Sequence, residues 1–240
     1  MRQRARLTAL SDGVSSREPA IPHALPRPQD PPERFLKAGV YGVAVGEDLA
    51  LLDIGADAYL CLPGGASGLG GDGSILRLSG PNAAAVVEAG LGADQAGPAI
   101  RRPPGLPSLT LIHDTAPNVS LGDVLRGLGA VRDIRRALRG EGLHPILAVA
   151  PDHDRVVDRV AVAHAAKTFW RLSPWLPMEG ECLVRSAMLM SYLRRAGLSA
   201  DWVFGVRLWP FAAHCWVQID DLCLNDDIER LAAYTPIYCR

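Results

Sequence analysis

Three residues in the C-terminal half carry the ingredients of nucleophilic catalysis. Cys182 lies near the start of PMEGECLVRSAMLMSYLRRAGL, a stretch with the apolar spacing of an amphipathic helix. His214 lies in PFAAHCWVQIDDLCLNDD on a strand-like alternation, and Asp226 falls near the end of that stretch. A thiol attacks as its thiolate. A helix N-terminus or a nearby imidazolium lowers a cysteine pKa from about 8.5 by several units. Cys182, in the first turn after MEGE, stands where local structure helps a nucleophile most. The N–H groups there can also hold an oxyanion formed from a substrate carbonyl. His214 would take and return the proton, and a carboxylate would fix its tautomer.

Strand geometry sets a condition. Side chains alternate across a strand. With a two-residue loop at Asp220–Asp221, Cys215 stands opposite Asp226 and His214 faces the other side of the sheet. The triad therefore calls for an odd-length loop or a β-bulge between His214 and Asp226. Asp227 is the carboxylate that the plain register offers instead.

Each residue also has a structural reading. Cys182 shares a helical face with Ser186, Leu189 and Leu193, as a packing cysteine does. His214, beside Trp216, reads as a hydrogen-bonded core histidine, and Asp226 as a turn cap beside Asn225. Cys61, Cys215, Cys223 and Cys239 read as packing thiols. The cysteines lack the short C-x2-C pairs of structural zinc, so no metal is expected, nor any cofactor. His164, in a separate helical stretch, reads as a packed or surface residue.

The elements that must position these groups follow from pattern. SLGDVLRGLGAVRDIRRALRG repeats apolar residues at Leu121, Val124, Leu125, Leu128, Val131, Ile134 and Leu138, a helical period, and Arg155–Leu172 reads as a second helix. Gly197 ends the Cys182 helix. SADWVFGVRL, AAHCWVQI and LCLND then alternate as strands, giving helices followed by an antiparallel sheet, an α+β arrangement. Upstream, Ala38–Val45, Leu49–Ile54 and Ala58–Leu62 read as a meander joined by GED and GAD turns. Pro63–Ser74 reads as a mobile loop without the Lys of a P-loop, and Pro81–Leu91 as a helix capped by Ser79. Residues 1–33, rich in Pro and Arg, read as a disordered tail. The expected divisions are 1–33, 34–115 and 120–240.

The 25 Lys and Arg against 26 Asp and Glu give a net charge of −1, which leaves no nucleic-acid footprint and argues against a winged-helix DNA binder. No apolar run is long enough to span a membrane, and the N-terminus lacks a secretory pattern. An odd cysteine count without such a signal points to reduced thiols in the cytoplasm.

The block CLVRSAMLMSYLRRAGLSADWVFGVRLWPFAAHCWVQIDDLCLND resembles the lasso-peptide biosynthesis B proteins, maturation proteases of the microcin J25 type. The likeness rests on Cys-Leu followed by Arg-Ser, then LRRAGL, then GVR with PFAAH, then His, Trp-Val and a terminal Asn-Asp, and it covers roughly Leu121 to Ile237. It implies a papain-like, transglutaminase-like core with Cys182 as nucleophile, His214 as base and Asp226 orienting the ring. It implies a lasso precursor peptide as substrate and an asparagine-synthetase-like cyclase as partner, through which any ATP requirement would arise. The upstream meander and helix then look like a winged-helix-like leader-recognition domain, which binds the leader as an added strand along Ala58, Tyr59, Leu60, Cys61 and Leu62. Cys215 stands where the resemblance leads one to expect a small residue such as Ala, and the Pro-rich tail has no counterpart. The expected activity is leader cleavage; acyl transfer or deamidation on the same triad, and a non-catalytic leader-binding adaptor, are the alternatives.

Overall fold

The computed structural model describes residues 7–9, 33–70, 76–97, 101–115, 117–151 and 158–240. Contacts divide the chain into two compact units. One is built from Arg6–Asp53 and Ala58–Ile100, the other holds residues 101–240 with the Ile54–Asp57 turn.

The N-terminal unit is β-rich. Its strands are β1 (Leu7–Ala9), β2 (Arg34–Leu36), β3 (Val40–Val45), β4 (Asp48–Asp53), β5 (Ala58–Leu62), β6 (Leu69–Gly70), β7 (Arg77–Leu78) and β8 (Gly92–Ala93), with helix α1 at Pro81–Glu88. β3, β4 and β5 form the expected antiparallel meander. Its turns use left-handed residues, Gly46 at φ 63° and Asp57 at φ 51°, conformations that Gly and Asp tolerate best. Leu49, Leu51 and Leu62 bury one face with Leu36, Val40, Leu78 and Val86. A second small sheet runs β6-β7-β2-β8.

Three expectations change here. α1 starts after Gly80, at φ 69°, with Pro81 in its first turn, and no side chain caps it, so Ser79 is not its cap. A 3-10 turn at Gly65–Gly68 and β6 occupy part of the expected loop; residues 71–75 lie outside the described residues. β5 is not an open edge: Leu7, Thr8 and Ala9 pair with Tyr59, Leu60 and Cys61 in parallel. The bare N–H and C=O row of an edge strand recruits any extended segment that reaches it, and three residues are too few to show a period in sequence. The remaining expected tail, up to Pro32, lies outside the described residues.

In the C-terminal unit, β9 (Leu109–Thr110) precedes α2 (Leu121–Ala137), α3 (His144–Leu147), α4 (Arg159–Leu172) and α5 (Cys182–Arg195). Then come β10 (Asp201–Arg207), β11 (Ala212–Ile219), β12 (Leu222–Cys223), α6 (Ile228–Leu231) and β13 (Thr235–Cys239). Helices followed by a sheet of order β13-β10-β11-β12-β9 make this unit α+β. α5 is its central helix. Every residue from Ser186 to Leu193, two serines included, is buried, and α2, α4 and β11 pack around it, so the centre of the helix has no solvent face, unlike the amphipathic helix expected. Gly197, at φ 77°, ends it, and the Leu198 N–H bonds back to the Leu193 carbonyl at 2.9 Å.

α2 begins with a capping box between Ser120 and Asp123. Its inward face is Gly127, Ala130, Val131, Ile134 and Ala137, while Leu121 and Leu125 of the expected stripe are 76% and 62% exposed. Close approach decides this. A Cβ on Gly127 would come within 2.6 Å of Leu172, and one on Gly129 within 2.6 Å of the Arg195 guanidinium. Asp133 ties α2 to α5, accepting from Ser191 at 2.7 Å, Arg194 at 2.8 Å and Arg195 at 2.8 and 3.0 Å.

Candidate active site

Cys182 is the first residue of α5, with Glu181 as N-cap. The opening N–H groups of a helix have no intrahelical partner, so the sulfur shares its end of α5 with free donors and the positive end of the dipole. The entry is tight. A Cβ on Gly180 would lie 2.5 Å from Cβ of Val184, so the chain bends into the helix in a way that leaves no room for a side chain there.

His214 sits in β11 opposite Gly205 of β10. A Cβ on Gly205 would meet the Trp216 ring at 2.8 Å, so the glycine leaves room for the indole stacked beside His214. Tyr234 covers the imidazole from another side, at 5.3 Å between ring centroids. The imidazole is buried, only 4% exposed.

Asp226 reaches His214 by a route that the sequence did not suggest. The β11–β12 loop is the plain two-residue Asp220–Asp221, with Ile219 opposite Leu222 and Gln218 opposite Cys223. The pairing holds as far as Leu224, whose N–H bonds to the Val217 carbonyl at 2.8 Å. Then the strand stops. The Asn225 side chain, not the backbone, accepts from the Val217 N–H at 2.7 Å, and Trp170 Nε1 donates to the Leu224 carbonyl at 2.6 Å. Thr110 Oγ1 donates to the Asp226 carbonyl at 2.7 Å. Freed from strand alternation, Asp226 brings Oδ2 to 2.5 Å from His214 Nε2. The odd loop or bulge expected between them is absent; strand termination does its job. The sheet's register shift lies instead between β10 and β13, at Phe204/Gly205. Asp227, the alternative carboxylate, caps α6 through the Glu229 N–H at 3.1 Å.

The charges of the three groups are coupled. The Cys215 thiol, the His214 ring and its charge, and the Cys215 N–H pull the Cys182 pKa to about 4, against the burial that would raise it. Burial pulls His214 down, but its hydrogen bonds and charge interactions with Asp226 and Cys182 outweigh that and raise it to about 8. Burial raises Asp226, yet the His214 hydrogen bond and the Asp227 N–H hold it below the ordinary carboxylate value. Between about 4 and about 8 the site is a thiolate, an imidazolium and a carboxylate in line. With Nε2 taken by Asp226, Nδ1 is the ring nitrogen left to serve the sulfur. This arrangement can attack a carbonyl and protonate a leaving amine.

The structure thus brings Cys182, His214 and Asp226 together. The other cysteines are buried. Burial raises all four, Cys223 to about 11 and Cys239 to about 12. Cys215 does more than fill space. The fully buried Trp202 Nε1 has no hydrogen-bond partner among the described residues, and the indole works against the burial that raises the Cys215 thiol. Ala58, Tyr59, Leu60, Cys61 and Leu62 lie in the other unit as β5, between β4 and β1. Sequence reading passed over Trp170 and Thr110, whose bonds hold the bend before and at Asp226; no local pattern marks either one. Among the described residues no cluster of His, Cys, Asp or Glu is placed to hold a metal ion, and no helix is long and apolar enough to cross a membrane.

Residues 128–239 match the family model of the Transglutaminase-like superfamily. The match runs from within α2 to the end of β13 and includes all three site residues. The chain therefore carries a transglutaminase-like domain, of a superfamily whose enzymes are of the cysteine-protease and acyltransferase type. No curated protein and no solved structure matches.

Proposed function

We propose that residues 120–240 form a cysteine endopeptidase that cuts the leader from a ribosomally made lasso-peptide precursor. An asparagine-synthetase-like cyclase then closes the macrolactam. The observation that carries the peptidase reading is the Cys182 thiolate held beside a His214 whose far nitrogen meets Asp226 at 2.5 Å. The order of motifs around the three residues supplies the lasso substrate.

The Cys182 thiolate attacks the carbonyl at the leader–core junction. The oxyanion that forms faces the free N–H groups opening α5. His214 gives its proton to the leaving amine, and a thioester remains. His214, now neutral, takes a proton from water, and hydroxide expels the thiolate. Asp226 keeps the imidazole in one orientation throughout. A nucleophilic thiol must stay reduced, which suits the cytoplasm. Residues 34–115 would bind the leader as a strand on β5, in exchange for Leu7–Ala9.

The test is Cys182→Ala with purified precursor and mass spectrometry. The variant binds precursor and releases no leader. Normal processing by it would end the proposal. The same transglutaminase-like triad supports acyl transfer, and product mass separates the two: hydrolysis adds water across the cut bond, transfer leaves an amide on an amine acceptor.

A further inference from the structure

The groups around Cys182, His214 and Asp226 converge on one buried hydroxyl. Ser186 lies one helical turn after Cys182 on α5, on the same face, and is fully buried. Its Oγ donates to the Cys215 carbonyl at 3.4 Å. It accepts from Asn225 Nδ2 at 2.7 Å, and the Cys215 sulfur lies 3.8 Å from it. Asn225 is held at its other end by the Val217 N–H.

Each partner adjoins a member of the triad. Cys215 follows His214 and Asn225 precedes Asp226. One oxygen therefore ties together the helix that bears the nucleophile, the strand that bears the base and the bend that bears the carboxylate. The bond to the Cys215 carbonyl is buried and those of Asn225 are partly buried, so losing either partner leaves polar groups unsatisfied.

We infer that Ser186 and Asn225 are positioning residues that set the register of α5 against β11 and the Asp226 bend. This rests on the triad reading above. Helix α5 meets β11 mainly through apolar side chains, which fill space without fixing a small slide along the strand. Directional bonds between one hydroxyl and the Cys215 carbonyl and the Asn225 side-chain amide do fix it. A misplacement of about 1 Å at reacting atoms costs about a hundredfold in rate, so the effect falls on chemistry more than on substrate binding.

The experiment compares Ser186→Ala, Ser186→Thr and Asn225→Ala with the parent chain. Circular dichroism and thermal melting establish that each is folded. The first readout is the pH midpoint of Cys182 alkylation by iodoacetamide, which needs no substrate. It moves upward in Ser186→Ala and Asn225→Ala, because the sulfur loses its alignment with His214, and returns toward the parent in Ser186→Thr, which keeps the hydroxyl. The second is precursor cleavage: kcat falls about tenfold to a hundredfold while KM changes little. If Ser186→Ala and Asn225→Ala melt earlier but keep the parent midpoint, the bonds serve stability alone and the inference fails. Cleavage that survives Cys182→Ala would sink the peptidase reading instead, and the alkylation midpoints would still judge the register. Should Ser186→Ala not fold, Asn225→Ala carries the same comparison from the other end of the network.

Discussion

His214→Ala should cost Cys182 its thiolate in mild acid. In the native site Cys182 has a pKa of about 4, so at pH 5 about nine-tenths of the sulfur is thiolate. An opposite charge close by shifts a pKa by about 1 to 3 units. Removing the imidazolium and its hydrogen bond raises the midpoint by about 2 units, while the Cys215 thiol and N–H remain. The thiolate fraction at pH 5 then falls to about one-tenth, and alkylation slows about tenfold, because the thiolate is the reacting species. Near pH 9 the parent imidazole has itself lost its proton, since its pKa is about 8, and the two proteins converge. The assay is iodoacetamide labelling of the intact chain, read by mass between pH 4 and 9, with Cys182→Ala as blank. The other four cysteines are buried with raised pKa values, so they stay silent in acid and one rate reports one sulfur. A parent protein whose labelling climbs through a single midpoint near about 8.5, the ordinary thiol value, would refute the ion pair. Equal rates for parent and His214→Ala at pH 5 would do so too.

Cleavage by the parent should follow a bell, rising through about 4 as the thiolate forms and falling through about 8 as His214 loses the proton it must donate. Asp226→Asn keeps the shape but removes the charge that raises His214, so the alkaline limb moves to lower pH; an unmoved limb in the pH–rate profile would show that Asp226 does not tune the ring. His214 also contributes stability below its unfolded value that is lost as pH rises through about 8, whereas the lowered Cys182 pKa adds stability with rising pH in both proteins, so the urea midpoint of the parent minus that of His214→Ala should fall between pH 6 and 9. Gly180→Ala sets a methyl 2.5 Å from Val184 and should cost about 1 to 3 kcal/mol in urea unfolding by overpacking the entry to α5; a cost below that range would mean the entry loop gives way freely. Deleting residues 1–9 removes the Leu7–Ala9 strand from β5. If that pairing is worth about 1 kcal/mol, the deletion should tighten binding of a fluorescent leader peptide about fivefold by anisotropy; weaker binding would mean that the strand supports the site instead of competing for it.

Local pattern was enough for α2, α4, α5 and the strands β10 to β12 of the C-terminal unit, but it did not show β9, α3, α6 or β13. α5 starts at Cys182 because MEGE cannot continue an apolar helical stripe backwards, and it ends at Gly197 because only glycine takes that left-handed turn at no steric cost. Strands β10 and β11 alternate in plain sight, but the odd-length loop or bulge expected after β11 is absent, and the loop is the plain two-residue Asp220–Asp221. What went wrong involved partners distant in sequence. The apolar stripe of α2 gave a helix and placed Val131 and Ile134 inward, but Leu121, Leu125 and Leu128 are exposed, because Gly127 lets Leu172 of α4 approach closely.

The candidate site divides the same way. Residue type and position raised Cys182, His214 and Asp226 as candidates, and the resemblance of the surrounding motifs weighed them above a packing role; a sulfur at a helix head and an imidazole on a strand are local facts of the chain. How the carboxylate reaches the imidazole is not local. Strand periodicity forbade it, and the molecule solves it by ending β12 and letting Asn225, Trp170 and Thr110 hold the bend. Those three come from the bend itself and from two distant segments that meet only when the chain is folded. Period and composition report on neighbours along the chain; hydrogen bonds across it, and the pKa values they set, exist only in three dimensions.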